Sequence, residues 1–297
     1  MKILMQAGAT KTELSYSRWS HAILGQAIDD RGTAAVDFAQ SNADCSHLFS
    51  YDPKSLNARL DAESFSAEEV EQALSRMEKS HVLIEATTLG FVEILLCCRA
   101  LRQLNSTTVS LVYLEPENYF RPRQSLIVHR RDFELSEEVG EFAAVPGNAR
   151  LLKPDRTKVA LFVGFEGQRM NRFLEQTGVS PSACSIVFGV PAFQPGWEMD
   201  AFANNLRVLK GNQMAGRICF CGAQNPLSAY DAVERIYRSC NTGERLLMVP
   251  VGTKPHGIGA ALFACEHSDA GVVYDNPKRK DKRSGSVGGW HLFDIQF

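Results

Sequence analysis

The sequence has no excess of either charge and no long hydrophobic run. Its 32 Lys and Arg residues nearly balance 34 Asp and Glu residues, which gives a net charge of −2. No overall basic character therefore indicates a nucleic-acid or anionic-membrane partner. The longest apolar stretches, such as 159–165 and 258–265, are far shorter than the roughly 20 residues that a membrane-spanning helix needs. We predict no membrane partner.

Signal-peptide and metal-binding patterns are also missing. The apolar run after Met1 is too short for a signal peptide and fits a first strand that enters a Gly turn, so we expect a cytoplasmic protein. Most of the 8 cysteines lie in apolar strand or helix patterns, where Cys behaves as a small hydrophobic residue. Cys219 and Cys221 would share a strand face, but no second pair completes a zinc site. We predict neither a metal nor a cofactor.

Familiar catalytic motifs are absent as well. The sequence contains no GxSxG, HExxH, GxGxxG or GxxxxGK[ST] pattern. Several acidic residues, such as Glu85 and Glu115, lie near predicted strand ends, but no matching His or Asp cluster turns them into an acid–base pair. The sequence offers no recognisable nucleophile and favours a binding protein over an enzyme.

The second half of the chain alternates short apolar runs with helical patterns. That alternation is typical of a mostly parallel sheet with helices on its faces. The predicted strands are 158–165, 184–191, 217–222, 245–251 and 271–276. The predicted helices are 167–177, 197–209, 227–239 and 255–267, the last starting at Pro255, whose missing N–H suits a first helical turn.

The first half shows a looser version of the same pattern. The predicted strands are 2–6, 34–39, 47–51, 81–86, 107–114 and a tail region around 125–135, and the predicted helices are 20–28, 67–79 and 91–104. Turn-forming residues in 145–156 indicate a linker between a first half, 1–144, and a second half, 157–297. The fold class predicted is α/β, with two Rossmann-like halves built on mostly parallel sheets.

The two halves also resemble each other. Segment 82–116 can be aligned with 246–277, and 2–8 with 158–164, at similar offsets. A tandem pseudo-repeat explains these matches, although any two βαβ units share such a pattern.

Ligands of open α/β sheets bind where strands end and helices begin, because helix N-termini favour anions. The loops that meet this condition are 8–10, 87–90, 164–167, 222–225 and 252–256. The candidate ligand-binding residues in the first three of these loops are Gly8, Thr10, Thr87, Thr88, Gly90, Gly164 and Glu166. Glu166 could bind a ribose hydroxyl or simply begin a helix, and the helix start is the favoured interpretation.

The loop 252–256 carries the clearest pattern. Gly252 ends a strand, and Thr253 and Lys254 supply a hydroxyl and a cation that suit phosphate or ribose. The small residues that follow, such as Gly259, would let backbone approach a ligand closely. His256 is the only histidine in a candidate loop and is the one weak catalytic candidate. The alternative is a helix cap with a surface lysine.

A local basic segment lies near the C-terminal end. Asn276, Lys278 and Arg279 begin it, and Lys280, Lys282 and Arg283 complete it. Such a segment could close over an anionic ligand, contact nucleic-acid phosphates, or form a solvated loop. Trp290 and His291 could stack on a base, but their alternating pattern favours a terminal strand.

Gly252, Thr253 and Lys254, at a strand-to-helix turn in a Rossmann-like half, resemble the Gly-Thr-Lys motif of CRISPR-associated Rossmann-fold (CARF-like) sensor domains that bind cyclic oligoadenylates. That family usually has Thr-Gly-Gly-Thr-Lys, whereas Pro250 and Val251 stand here. The match covers three residues and their position in the second half.

The resemblance implies a nucleotide second-messenger pocket formed across a two-fold axis, by a homodimer or by two halves of one chain, and used in antiviral defence. It also implies an effector protein partner, because no attached effector domain is evident. Two alternatives stay open. One is a nucleotide-processing enzyme, for example one that cleaves a cyclic oligonucleotide with Lys254 and His256. The other is a non-catalytic subunit of a multi-protein complex.

Overall fold

A computed structural model describes residues 1–104, 108–119, 133, 135–138, 140–151, 153–281 and 283–297. The chain forms two compact units. The first unit consists of Met1–Phe120 and Asp281–Phe297, and the second of Arg121–Lys280. Seven α-helices and two large sheets in the described residues make this a mixed α/β protein, as the sequence predicts.

The first unit is built on a mixed eight-stranded sheet. Its strands, labelled in chain order, are β1 (Lys2–Gly8), β2 (Trp19–Leu24), β3 (Ala43–Asp52), β4 (Asn57–Leu60), β5 (Glu63–Ser66), β6 (His81–Glu85), β7 (Thr108–Tyr119) and, from the end of the chain, β16 (Ser284–Gln296). Its helices are α1 (Asp30–Asn42), α2 (Val70–Ala73) and α3 (Phe91–Gln103). The strand order is β1-β16-β7-β6-β2-β3-β4-β5; β7, β6, β2 and β3 run parallel to one another, and the other pairs are antiparallel.

The second unit is built on a six-stranded sheet and a separate strand pair. Its strands are β8 (Ser136–Glu138), β9 (Ala143–Ala144), β10 (Thr157–Val163), β11 (Cys184–Gly189), β12 (Ile218–Cys221), β13 (Arg245–Pro250), β14 (Gly271–Tyr274) and β15 (Lys278–Arg279). Its helices are α4 (Gly167–Thr177), α5 (Trp197–Gly211), α6 (Pro226–Arg238) and α7 (Lys254–Glu266). The large sheet has the order β12-β11-β10-β13-β14-β9, parallel except at β9, and β15 pairs with β8.

The central strand β10 shows why the apolar pattern of the second half predicts its strands. Its residues are buried on both faces of the sheet, so the strand appears as a continuous apolar run. On one face, Val159 and Leu161 share a core cluster with Phe173 of α4. On the other face, Phe162 contacts the ring of His256 in α7 at 5.2 Å between centroids. The predicted strands and helices of this half agree with the structure to within a few residues.

Two predictions in the first half are wrong. The segment 20–28, predicted as a helix, contains strand β2, because its short apolar run is buried between two parallel neighbours. The segment 34–39, predicted as a strand, lies inside α1, which begins where the Asp29 carboxylate accepts a hydrogen bond from Gly32 N at 2.7 Å. The helix predicted over 67–79 is broken into short 3₁₀ and α segments. The strands predicted around 125–135 lie almost entirely outside the described residues.

The division into units differs from the predicted halves. The predicted linker 145–156 lies within the second unit, and the terminal strand β16 belongs to the first, where it pairs with β1 and β7. The strand predicted around Trp290 is present as part of β16. The suggested match of 2–8 to 158–164 is wrong in topology, because β1 is an antiparallel edge strand and β10 a central parallel strand.

Among the residues described, no helix combines the length and the apolar character needed to cross a bilayer.

Candidate functional site

The carboxyl ends of the parallel strands in the second unit define the candidate site. From β10 the chain passes to β11 and β12 on one side of the sheet, and then crosses to β13 and β14 on the other side. The loops that leave β10 and β13 therefore diverge. A crevice at such a switch point is where open α/β sheets bind ligands. The loop with Gly252, Thr253 and Lys254 follows β13, so it borders this crevice.

Glycines line the strand ends on both sides of the crevice. A Cβ atom at Gly164, after β10, would lie 3.7 Å from Val251 O and 3.8 Å from Gly252 Cα, which is ordinary van der Waals contact with the loop after β13. A Cβ at Gly252 would lie 2.9 Å from His256 Nδ1 and 3.3 Å from Val163 O, so this position requires glycine. Bare backbone thus forms the floor between the two loops.

Two asparagines of α5 hold the loop after β10. Asn205 Nδ2 donates to Gly164 O at 2.7 Å, and Asn204 Nδ2 donates to Phe165 O at 2.9 Å. Gly167 fits beneath them because a Cβ there would lie 2.1 Å from Asn204 O. The α5 helix therefore fixes one wall of the crevice.

Thr253 caps helix α7. Its hydroxyl donates to Ala223 O at 2.7 Å and accepts from His256 N at 3.4 Å, and Thr253 O accepts from Gly257 N at 3.0 Å. Pro255 in the first turn has no N–H. Lys254, half-buried, is the first residue of the helix, where a cation opposes the helix dipole at a cost of about 0.3–1 kcal/mol. A bound anion would offset that cost.

Glu166 is occupied by other groups. Its carboxylate accepts from Leu135 N at 3.2 Å, from Ser136 N at 3.0 Å and from Ser136 Oγ at 3.1 Å. It also lies 3.8 Å from Arg169 Nη1. The residue stands at the N-cap of α4 without a side-chain cap bond. It anchors the segment around Ser136, which does not favour the alternative role in ribose binding.

Arg169 of α4 is a buried cation beneath the loop after β13. Its guanidinium forms two hydrogen bonds with the buried Asp275 carboxylate, at 2.7 and 2.5 Å, and donates to Val251 O at 3.2 Å. Burial by itself lowers the pKa of Arg169, but Asp275 and other anionic or phenolic neighbours raise it above the ordinary value. This ion pair fixes the residue that immediately precedes Gly252.

His256 is completely buried. Its Nε2 lies 3.3 Å from Cys221 Sγ, and its Nδ1 has no hydrogen-bond partner. Burial lowers the pKa of His256 to about 4 and raises the pKa of the Cys221 thiol to about 12, so both groups are neutral near pH 7. The imidazole supports Gly252 from below rather than reaching into the crevice, which does not favour a role in proton transfer.

The buried imidazole predicts acid sensitivity. Unfolded His256 takes up a proton near pH 6.5 and the folded form only near pH 4, so stability falls as pH drops between these values. Over that window this histidine should remove roughly 3 kcal/mol from the free energy of unfolding. Urea unfolding of wild type and His256→Gln at several pH values measures this pH dependence of the free energy of unfolding. An equally steep pH dependence in the variant would contradict the assignment.

The small residues of α7 have a structural role. A Cβ at Gly259 would lie 2.3 Å from Pro226 O and 2.9 Å from Tyr230 N, both in α6. The predicted close approach is therefore between two helices at this position, not between the helix and a ligand.

The basic residues near the end of the second unit are held in a strand pair. Lys278 and Arg279 form β15, which pairs with β8, and Lys278 Nζ lies 2.5 Å from Glu137 Oε2. Asn276, after β14, adopts a φ of 41° and donates from Nδ2 to Tyr274 O at 3.5 Å. Lys282 lies outside the described residues.

The candidate residues of the first unit lie in loops that are bonded internally. The buried Glu85 carboxylate accepts from Thr87 N at 2.6 Å, from Thr88 N at 3.0 Å and from the Thr88 hydroxyl. The Thr88 hydroxyl accepts from Gly25 N at 2.9 Å, and a Cβ at Gly25 would lie 2.8 Å from Thr88 C. The crevice between β2 and β6 is therefore closed. Gly90 is the N-cap residue of α3, and the helix start therefore has no hydrogen bond from a capping side chain.

Gly8 and Thr10 lie at the edge of the same sheet. Thr10 Oγ1 donates to Glu13 Oε1 at 3.1 Å, and Glu13 Oε2 accepts from Ala9 N at 3.2 Å. Because β1 is three strand positions from β6, these residues lie about 14 Å from the Thr87 loop.

The structure thus brings Gly164, Gly252, Thr253 and Lys254 to one crevice, with His256 beneath it. Sequence reasoning missed the residues that hold the crevice in shape, namely Arg169, Asp275, Asn204, Asn205 and Cys221. The one signal that could have indicated a buried cation is that Arg169 shares a side of α4 with Met170 and Phe173, which face the core.

Within the described parts of the chain, no three His, Cys, Asp or Glu side chains are grouped so that they could bind a metal ion. All 8 cysteines are free thiols. Neither protein-family models nor curated protein sequences gave a match to this chain.

Proposed function

We propose that the second unit binds a nucleotide, and specifically a cyclic oligonucleotide, in the crevice between β10 and β13. One observation carries the proposal, namely that the Gly252 loop with its lysine borders the topological switch point of the sheet. The switch point supports a ligand site on general grounds, and the likeness of Gly252, Thr253 and Lys254 to the CARF-like motif supports the ligand class.

Lys254 would make the main contact with phosphate. In the first turn of α7, Pro255 has no N–H, and the N–H groups of His256 and Gly257 are bonded to Thr253. The backbone of this turn therefore offers few donors, and the lysine ammonium supplies the charge. The glycine floor would allow a sugar or phosphate to approach the backbone at Gly164.

We further propose that the two units are divergent Rossmann-like copies. The order β3-β2-β6-β7 in the first unit corresponds to β11-β10-β13-β14 in the second, with an antiparallel strand beside β7 and beside β14. In this comparison Gly25 corresponds to Gly164. A Cβ at Gly25 would meet Thr88 C at 2.8 Å, whereas a Cβ at Gly164 would make ordinary van der Waals contact with Val251 O at 3.7 Å. At this position the strand ends of the second copy would be the less tightly packed of the two.

The same proposal gives the protein a role as a sensor or regulator in antiviral defence, acting in the cytoplasm on an effector partner. The free thiols are in keeping with a reducing compartment. The ion pair of Lys278 with Glu137 does not favour contact of the basic segment with nucleic acid.

The test is ligand binding by wild type and Lys254→Ala. Small molecules released from purified protein are identified by mass spectrometry, and thermal unfolding is followed with mono-, di- and cyclic oligonucleotides. A ligand at 100 times its Kd should stabilise wild type by about 2.7 kcal/mol, and Lys254→Ala should abolish most of this gain.

Lys210→Ala is the matched control, because Lys210 is an exposed lysine in the last turn of α5 and does not border the crevice. The control should respond like wild type. If no nucleotide shifts or copurifies with wild type, or if Lys254→Ala binds as tightly as wild type, the proposal fails.

A further inference from the structure

Two aromatic side chains lie on the α5 side of the crevice, opposite the loop that carries Lys254. Phe165 follows Gly164 in the loop after β10, and Trp197 is the first residue of α5. Their ring centroids are 5.7 Å apart at an interplanar angle of 82°, and both side chains are half-buried. Aromatic rings that stay partly exposed are the surfaces on which nucleobases stack in proteins.

Local contacts hold this aromatic pair in place. Asn204 Nδ2 donates to Phe165 O at 2.9 Å, and the ring of Phe133 packs against that of Phe165 with centroids 4.4 Å apart. Trp197 N donates to Gln194 O at 3.1 Å in the turn that starts α5. Because these contacts fix the backbone at both residues, little conformational freedom is left to lose when a planar ring binds.

A buried acceptor on the same wall lacks a hydrogen-bond donor. Asn205 of α5 is 1% exposed, and its Nδ2 donates to Gly164 O at 2.7 Å and to Ala201 O at 2.8 Å. These two bonds assign the orientation of the amide, and the remaining atom, Oδ1, has no hydrogen-bond partner. Because burying an acceptor without a donor is costly, this wall matches a ligand that brings N–H groups, as nucleobases do.

The aromatic pair and Lys254 flank the same two glycines. Phe165 directly follows Gly164, and Lys254 lies two residues after Gly252. A Cβ at Gly164 would be 3.8 Å from Gly252 Cα, so the two loops start side by side. With Lys254 on the phosphate, the ribose would extend over the glycines, and the base would reach the α5 side.

We infer that Phe165 and Trp197 form a nucleobase subsite, in which the base of the bound nucleotide stacks against this aromatic pair. The inference rests on the proposed function and makes it more specific, because it assigns part of the affinity to the base and not to the phosphate alone. A nucleotide should therefore bind more tightly than the same sugar phosphate without a base.

Trp197 allows a direct test, because it is the only tryptophan of the second unit, and Trp19 and Trp290 are buried in the first. The full chain is titrated with a cyclic oligoadenylate, AMP and ribose 5-phosphate while tryptophan fluorescence is recorded. At least one nucleotide should quench the fluorescence of wild type. Ribose 5-phosphate should bind at least about 10-fold more weakly and leave the fluorescence unchanged. Trp197→Phe should keep nucleotide binding and lose the quenching.

Phe165→Leu tests the ring itself. The substitution should raise the Kd of the nucleotide about 10-fold and leave that of ribose 5-phosphate unchanged, because leucine is apolar but offers no ring face. Phe220→Leu is the matched control, at an exposed phenylalanine of β12 in the same unit, and should bind like wild type.

The outcomes separate this inference from the proposed function. If nucleotides bind through Lys254 but no more tightly than ribose 5-phosphate, or without any change in fluorescence, the proposed function stands and the base subsite is wrong. Equal nucleotide Kd values for Phe165→Leu and Phe220→Leu also overturn the base subsite. If no nucleotide binds to wild type, both proposals are wrong.

Discussion

Arg169→Met should lower the free energy of unfolding by about 3–5 kcal/mol, because it leaves the Asp275 carboxylate buried without its cation. It also removes the donor to Val251 O. Urea unfolding measures the effect as a lower midpoint with an unchanged slope. A ligand that binds beside Gly252 should also bind more weakly, since Val251 immediately precedes that glycine.

The double variant Arg169→Met with Asp275→Leu separates charge from packing. If the loss arises from an uncompensated buried charge, the second substitution should recover much of it, since buried ion pairs can often be replaced by apolar side chains. Should the single variant lose less than about 1 kcal/mol, the pair would have no central role in the second unit.

Gly259→Ala should destabilise the protein by about 1–3 kcal/mol, although alanine is the better helix former. The added Cβ would lie 2.3 Å from Pro226 O and 2.8 Å from Ala229 Cβ, and backbone cannot yield as a flexible side chain would. Helices α6 and α7 would have to separate, and α7 carries Lys254 at its start. Thermal and urea unfolding measure the loss.

Gly211→Ala is the matched control. Gly211 also lies in a helix, at the end of α5, and a Cβ there would meet nothing within 4 Å. The same substitution should therefore be neutral or stabilise by up to about 1 kcal/mol. Equal effects at positions 211 and 259 would mean that close helix packing does not explain the glycine in α7.

The fold of the second unit could be predicted because its information is local. Parallel strands buried on both faces appear as apolar runs, and α4 ends where predicted because Gly178 adopts a left-handed φ of 64°. The first unit was harder because β2 contains the polar residues Ser20 and His21 and α1 has few apolar residues. Its boundary was missed because the pairing of β1 with β16 joins opposite ends of the chain.

The candidate site could likewise be predicted only where its residues are close in sequence. The position of Gly252 and Lys254 between a strand and a helix could be predicted because the strand, the turn and the helix start follow one another in sequence. The Arg169–Asp275 pair was missed because its partners are 106 residues apart, and a charged residue on a helix is usually solvated. His256 was expected to face a ligand, but its burial against Cys221 depends on the pairing of distant elements.

The position of β16 makes the first unit discontinuous, with Lys2 paired to Gln296 and the whole second unit inserted between the two parts. During synthesis the second unit is complete before β16 has been made, so it can fold while the first sheet still lacks the strand between β1 and β7. Until β16 arrives, β7 presents an unpaired apolar edge. During synthesis, the first unit therefore exposes an aggregation-prone strand edge for longer than the second unit does.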